Sequence, residues 1–200
     1  MGRTESVAAE TRPTGRPNSG ADAPRRLHWG CGEVRPAGWL NADIHGGPGV
    51  ALQGDIRDGL PLQSDSIDYV VSIHALQDLP FLDVAPALRE LWRVLRPGGV
   101  LRLGLPDLDR AIAAYQRGDR HYFYVPDSDA ECIGGKLAAQ MTWFGSSRML
   151  FTWESTEEWL RRAGFREVAR CAFGETRSQY PEIVELDSRE RESLFAEAVK

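Results

Sequence analysis

Four short stretches of the 200-residue chain carry residue types that could hold or transform a ligand. The run Leu27-His28-Trp29-Gly30-Cys31-Gly32 reads as a buried strand ending in a glycine turn. Missing side chains there let backbone N–H groups come close to a ligand. Asp43 follows Gly32 by eleven residues, at the end of a second strand. An acid so placed can accept hydrogen bonds from the 2′- and 3′-hydroxyls of a ribose. Gly54-Asp55-Ile56 sets an acid beside an apolar side chain at a third strand end, a pair suited to an adenine amino group and one face of its ring. Ser72-Ile73-His74 ends the most regular strand, at the centre of the sheet, where a transferred group and its acceptor would meet. His74, His121 and Asp78 are the side chains that could take up a proton.

A nicotinamide site would use the first two features. Its fingerprint, however, is G-x-G-x-x-G/A with about 20 residues to the acid. The run Gly30-Cys31-Gly32-Glu33-Val34-Arg35 has no third small residue, and the spacing to Asp43 is too short. Each candidate also has a plainer role. Two glycines can serve a steric turn, Asp43 can cap a turn, and His74 can simply order backbone. Asp107-Leu108-Asp109 and Asp127-Ser128-Asp129 resemble metal-holding pairs, but Asp107 follows Pro106 and reads as a helix start, so no metal is expected.

These residues need elements to position them. Arg26–Trp29, Trp39–Ile44, the stretch around Val50–Asp55, Ile67–His74, Val100–Leu105, Phe165–Phe173 and Leu194–Val199 read as strands. Leu88, Leu91, Trp92 and Leu95 form one apolar stripe at helical period, stopped by Pro97-Gly98-Gly99. Asp107–Arg117 predicts another helix. Ser155-Thr156-Glu157-Glu158 predicts a third, with Ser155 as N-cap and Glu158 closing a capping box, ended at Gly164. The alternation predicts an α/β fold: a Rossmann-like doubly wound sheet, mainly parallel, with an antiparallel last strand because no helix-length crossover precedes it. Residues 1–24 lack large hydrophobes beyond Val7 and read as a disordered tail, leaving 25–200 as the folded domain.

Composition narrows the classes. The net charge of −5 argues against a nucleic-acid partner held by phosphate contacts. No apolar run reaches membrane-spanning length, and the three dispersed cysteines fit a reducing cytoplasm. Of 24 cationic residues only Lys136 and Lys200 are lysine, which suggests a GC-rich bacterial source.

The series GCG, GWLNAD, GDI, LPLQSDSIDYVVSIHAL and ALRELWRVLRPGGVLRLGLPDL resembles class I S-adenosylmethionine-dependent methyltransferases, and more narrowly a small bacterial, methyltransferase type 11-like branch. The resemblance covers residues 26–200. It implies S-adenosyl-L-methionine as cofactor, with Trp29, Gly30, Cys31 and Gly32 around its methionine part, Asp43 on the ribose, and Ile44, Asp55 and Ile56 on the adenine. Ser72, Ile73 and His74 would line the sulfonium end. Where the branch has H-x-L-E-H, this chain has His74-Ala75-Leu76-Gln77-Asp78. That change leaves two alternatives to methyl transfer: another use of the same cofactor, such as aminocarboxypropyl transfer or cyclisation, or a cofactor-binding protein without turnover. The expected acceptor is a small molecule, such as a natural product being tailored. Eight aromatic residues in an insertion at about 115–153 point to an apolar or aromatic one.

Overall fold

The computed structural model describes residues 24–200. The tail expected over 1–24 lies, but for Pro24, outside them. The strands are β1 (Arg26–Trp29), β2 (Leu40–Asp43), β3 (Leu52–Gln53), β4 (Ile67–Ile73), β5 (Leu95–Pro106), β6 (Arg166–Cys171) and β7 (Ser193–Val199). The helices are α1 (Phe81–Val94), α2 (Leu108–Gln116), α3 (Ile133–Met141) and α4 (Trp153–Ala163). The strands pair in the order β3-β2-β1-β4-β5-β7-β6. Pairs from β3 to β5 are parallel, and β7 runs antiparallel to both its neighbours. The order of connection reverses between β1 and β4, so the loops leaving their carboxyl ends part and open a crevice.

Alternation along β4 explains how one strand serves two faces. Val70 joins the main core with Leu27, Leu101 and the α1 stripe of Leu88 and Leu91. Tyr69 and Val71 face the other way, where Trp39 and the single turn Pro181–Val184 cover them. Between 107 and 151, α2 and α3 build a small core of their own from Ala111, Ala114, Tyr122, Phe123 and Met141. No helix among the described residues is long and apolar enough to cross a membrane.

Helix boundaries follow local chemistry, with two corrections. Asp107 caps α2 by accepting the Arg110 N–H, as its position predicts. Gly164 ends α4 at a φ of 106°, where a Cβ would sit 3.1 Å from the Trp92 indole nitrogen. The capping box of α4, however, is formed by Thr152 and Ser155, not by Ser155 and Glu158. The Asp109 carboxylate accepts the Trp153 N–H at 3.0 Å and so starts the helix earlier. Likewise α1 ends at Val94, because Leu95 is already in register with Ile67, and Pro97-Gly98-Gly99 lies within the β5 span.

Candidate active site

The crevice between β1 and β4 holds a cavity of about 520 Å³. Trp29, Gly30, Gly32, Asp43, Ile44, Asp55, Ile56, His74 and Asp78 all line it, though they span 50 positions of sequence. Gly30 is required by close approach. Its φ is 70°, and a Cβ there would fall 2.2 Å from that of Ala75, so the first loop lies directly on the segment leaving β4. At Gly32 a Cβ would meet nothing within 4 Å, which leaves the turn open to the cavity.

Asp43 ties two strand ends together. Its Oδ2 accepts the Gly32 N–H at 2.8 Å and its Oδ1 the His45 N–H at 2.9 Å. Each carboxylate oxygen has about two acceptor sites, so one on each remains for a ligand. Ile44 next to it is half exposed. A large apolar side chain on a cavity wall offers a platform for a ring. Asp55 is held by Arg57 through both oxygens, and this guanidinium pulls its carboxyl below the usual range. Arg57 and Arg148 also line the cavity, and neither belongs to the motifs legible in the sequence. Arg57 stands only two residues after Asp55, and that spacing is the one signal available.

Four expected site residues lie elsewhere. Ser72 is buried within β4, and Ile73 packs against Gly104 and the Tyr69–Val71 face, because strand side chains alternate and neither opens on the crevice. Cys31 is turned into the protein and only 3 % exposed. His121 sits on the surface, its N–H donating to Asp119, and lines neither this cavity nor the next.

A second cavity, of about 210 Å³, adjoins the first. His74, Asp78 and Ser146 line both. Its wall is otherwise largely polar: Gln77, Gln140, Ser147, Arg189 and Glu192, with Pro106 and Trp143. The expected aromatic lining is therefore corrected to one ring. Tyr122 and Phe123 belong to the small core and Phe151 to the main one, while Tyr124 and Phe144 face solvent. Composition shows that rings cluster but not which way they face.

His74 stands at the junction with a φ of 52°, a left-handed conformation that costs a side-chain-bearing residue about 1–2 kcal/mol. Its ring position is fixed at one end. Ser193 donates its hydroxyl proton to the Arg189 carbonyl at 2.9 Å, so at 2.7 Å it accepts from His74 Nε2–H. That assigns the tautomer and leaves Nδ1 as an acceptor. Burial, helped by the Arg189 charge, pushes the His74 pKa down to about 3. Partial burial pushes the Asp78 carboxyl above its usual range, against the pull of Arg148 and Arg189. A pH effect follows. Between about pH 6.5 and 3 the unfolded chain binds a proton at His74 that the folded chain refuses, so this residue lowers stability as pH falls through that window. Urea unfolding midpoints at pH 7, 5 and 4 are expected to fall less steeply for His74→Gln than for the wild type. Parallel curves would show that the ring is not held neutral by the fold.

Comparisons with known proteins agree with this layout. A family described as a methyltransferase domain matches residues 27–103. No curated protein matches the chain in sequence. Among solved structures, an S-adenosylmethionine-dependent methyltransferase of Thermotoga maritima, described as a possible histamine N-methyltransferase, is similar at 20% identity over 90% of this chain and 84% of that one, with a TM-score of 0.55. A methyltransferase of Mesorhizobium loti is similar at 22% identity over 88% and 91%, with a TM-score of 0.51. Phosphoethanolamine N-methyltransferase 2 of Haemonchus contortus, solved with S-adenosyl-L-methionine, is similar at 16% identity over 88% and 48%, with a TM-score of 0.51. The family match spans the first loop and both central strands of the crevice, and the fold around it is the one these methyltransferase structures share.

Proposed function

We propose that the protein moves a methyl group from S-adenosylmethionine to a small molecule seated in the smaller cavity. The observation that carries this reading is the shared wall of His74, Asp78 and Ser146 between a cavity of nucleoside size and one of small-molecule size. The donor set suits the cofactor. Asp43 has acceptor sites free for the ribose hydroxyls, Gly32 and Gly54 leave open space where a Cβ would stand, and Ile44 offers a face for the adenine. Gly30 and Gly32 admit the methionine part, and Ile56 supports the ring from below. Asp55 holds the adenine amino group while sharing its carboxylate with Arg57.

When bound, the sulfonium supplies an activated methyl group and its own leaving group. The chain then has chiefly to align the two reactants, a contribution of about 7–11 kcal/mol when the fit is good. Asp78, at the junction and more basic than an ordinary aspartate, takes the proton that an amine or hydroxyl acceptor gives up. His74 stays neutral, held by Ser193, and presents Nδ1 as a fixed acceptor. The free thiols of Cys31, Cys132 and Cys171 fit a cytoplasmic setting.

Mass spectrometry of the spent cofactor tests the reading. The expected product is the demethylated cofactor, S-adenosylhomocysteine. Methylthioadenosine would instead mean that the aminocarboxypropyl group had moved.

A further inference from the structure

Two buried side chains on the wall of the smaller cavity each carry a hydrogen-bonding atom that the protein leaves unmet, one an acceptor and one a donor. Gln77 is 5 % exposed and Gln140 3 %, and both line the cavity. Gln77 Nε2 donates to the His74 carbonyl at 2.7 Å. Only an N–H can donate to a carbonyl, so the amide orientation is fixed and Oε1 is the atom without a partner. Gln140 is fixed in the reverse sense. Its Oε1 accepts the Tyr124 N–H at 2.7 Å, which leaves the donor Nε2 without a partner. Backbone groups therefore set both amides, and the ambiguity that usually attends a glutamine is absent.

Gln77 is held further by its own backbone. Its carbonyl accepts the N–H groups of Arg148 and Met149 at 2.8 and 2.9 Å, which binds the end of the insertion to the turn after β4. The glutamines thus sit on independently anchored elements, one on that turn and one on α3. Buried polar groups are nearly always satisfied, and two unmet groups on side chains that line one cavity mark a place where a ligand completes the bonds. A dry cavity of about 150 Å³ takes up benzene. At about 210 Å³ this one admits a molecule a few atoms larger.

We propose that Gln77 and Gln140 determine acceptor specificity, selecting a small polar molecule that gives an N–H or O–H to Gln77 Oε1 and takes the Gln140 Nε2–H on an oxygen or nitrogen, as an amino alcohol or amino amide can. This rests on the methyl-transfer reading for the chemistry, although not for the binding. An apolar acceptor of equal size would leave both amides unpaired, and sites of this kind discriminate strongly against partners that cannot bond.

The test uses the full chain and two probe sets. One contains 2-aminoethanol, glycinamide and 2-aminopyridine; the other contains benzyl mercaptan and thiophenol, nucleophiles of similar size without strong hydrogen-bonding groups. Calorimetry measures S-adenosylhomocysteine first, then each probe with the free and the loaded protein, and turnover follows. At least one polar probe is expected to bind and be methylated in preference to both thiols. Gln140→Glu keeps the Tyr124 bond but turns the free donor into an acceptor. It is expected to weaken polar-probe binding and kcat/KM at least about tenfold, with S-adenosylhomocysteine affinity within about twofold. Gln77→Met is the second variant, and thermal unfolding reports whether each is folded. Thiols bound as well as the polar set, no polar probe bound at millimolar concentration, or a Gln140→Glu protein with unchanged polar affinity would each overturn the proposal. Failure to bind S-adenosylhomocysteine overturns the methyl-transfer reading instead, and probe binding to the free protein still decides the role of the glutamines.

Discussion

Asp43→Ala is expected to lower the affinity for S-adenosylhomocysteine by about 100- to 10,000-fold. The carboxylate uses one acceptor site on each oxygen for backbone, on Gly32 and His45, and has one on each to spare. Two ligand hydroxyls bound there would make two hydrogen bonds to a charged acceptor, each worth about 1.5–3 kcal/mol. Their joint loss corresponds to about two to four orders of magnitude at about 1.4 kcal/mol per tenfold change. The glycine turn also loses one of its ties to β2, the bond from Gly32, which adds to the deficit because that turn forms one wall of the cavity. Isothermal titration decides the point. Asp43→Asn, which keeps one carbonyl oxygen, is expected to fall between alanine and the wild type. An unchanged affinity in the alanine variant would remove Asp43 from the ribose site. Affinity lost equally for adenosine and for the whole product would place the effect in the nucleoside half, as this assignment requires.

The parts of this site that sequence made visible are those set by local chemistry. A β-branched run bounded by polar residues marked β4, and Pro106 before Asp107 marked the start of α2. A glycine pair followed at fixed distance by an acid marked the crevice, because turn, strand and turn are consecutive there. What stayed hidden depends on partners distant in sequence. Thr152 and Ser155 both suit an N-cap, and the choice is made by Asp109, 44 positions before Trp153. Ser72 and His74 are two residues apart, yet one is buried in the strand and the other lines both cavities, since the chain leaves the sheet between them through a left-handed residue. The polar wall of the smaller cavity includes two amides 63 positions apart, fixed by unrelated backbone groups. No periodicity or spacing encodes that pairing, whereas the eight aromatics nearby gave a strong compositional signal for packing that is mostly structural.

Arg102→Met is expected to cost about 3–5 kcal/mol of folding stability, a large share of the 5–15 kcal/mol typical of a domain. Arg102 is fully buried in β5, and all five of its N–H donors are met. Nε and Nη2 grip the Asp187 carboxylate at 2.7 and 2.5 Å, and Nη1 reaches Glu197 at 2.7 Å. The remaining two donors bind the carbonyls of Glu175 and Ala172. The Asp187 and Glu197 side chains are themselves 1 % and 5 % exposed, so methionine leaves two buried carboxylates facing each other without a cation. Lysine restores one charge but cannot span four separate partners, and Arg102→Lys is expected to recover only part of the loss. Urea unfolding at pH 7 measures both. A methionine variant as stable as the wild type would show that the buried ion pairs contribute nothing net to folding. The consequence reaches the site through the segment between β6 and β7. Arg102 clamps it at Ala172, Glu175 and Asp187, and the same segment then delivers Arg189 and Glu192 to the smaller cavity and leads into Ser193, which meets His74. In the folded lysine variant, acceptor KM is therefore expected to rise while S-adenosylhomocysteine affinity holds, because Gly32, Asp43 and Asp55 lie on the other side of the switch point and touch none of that segment.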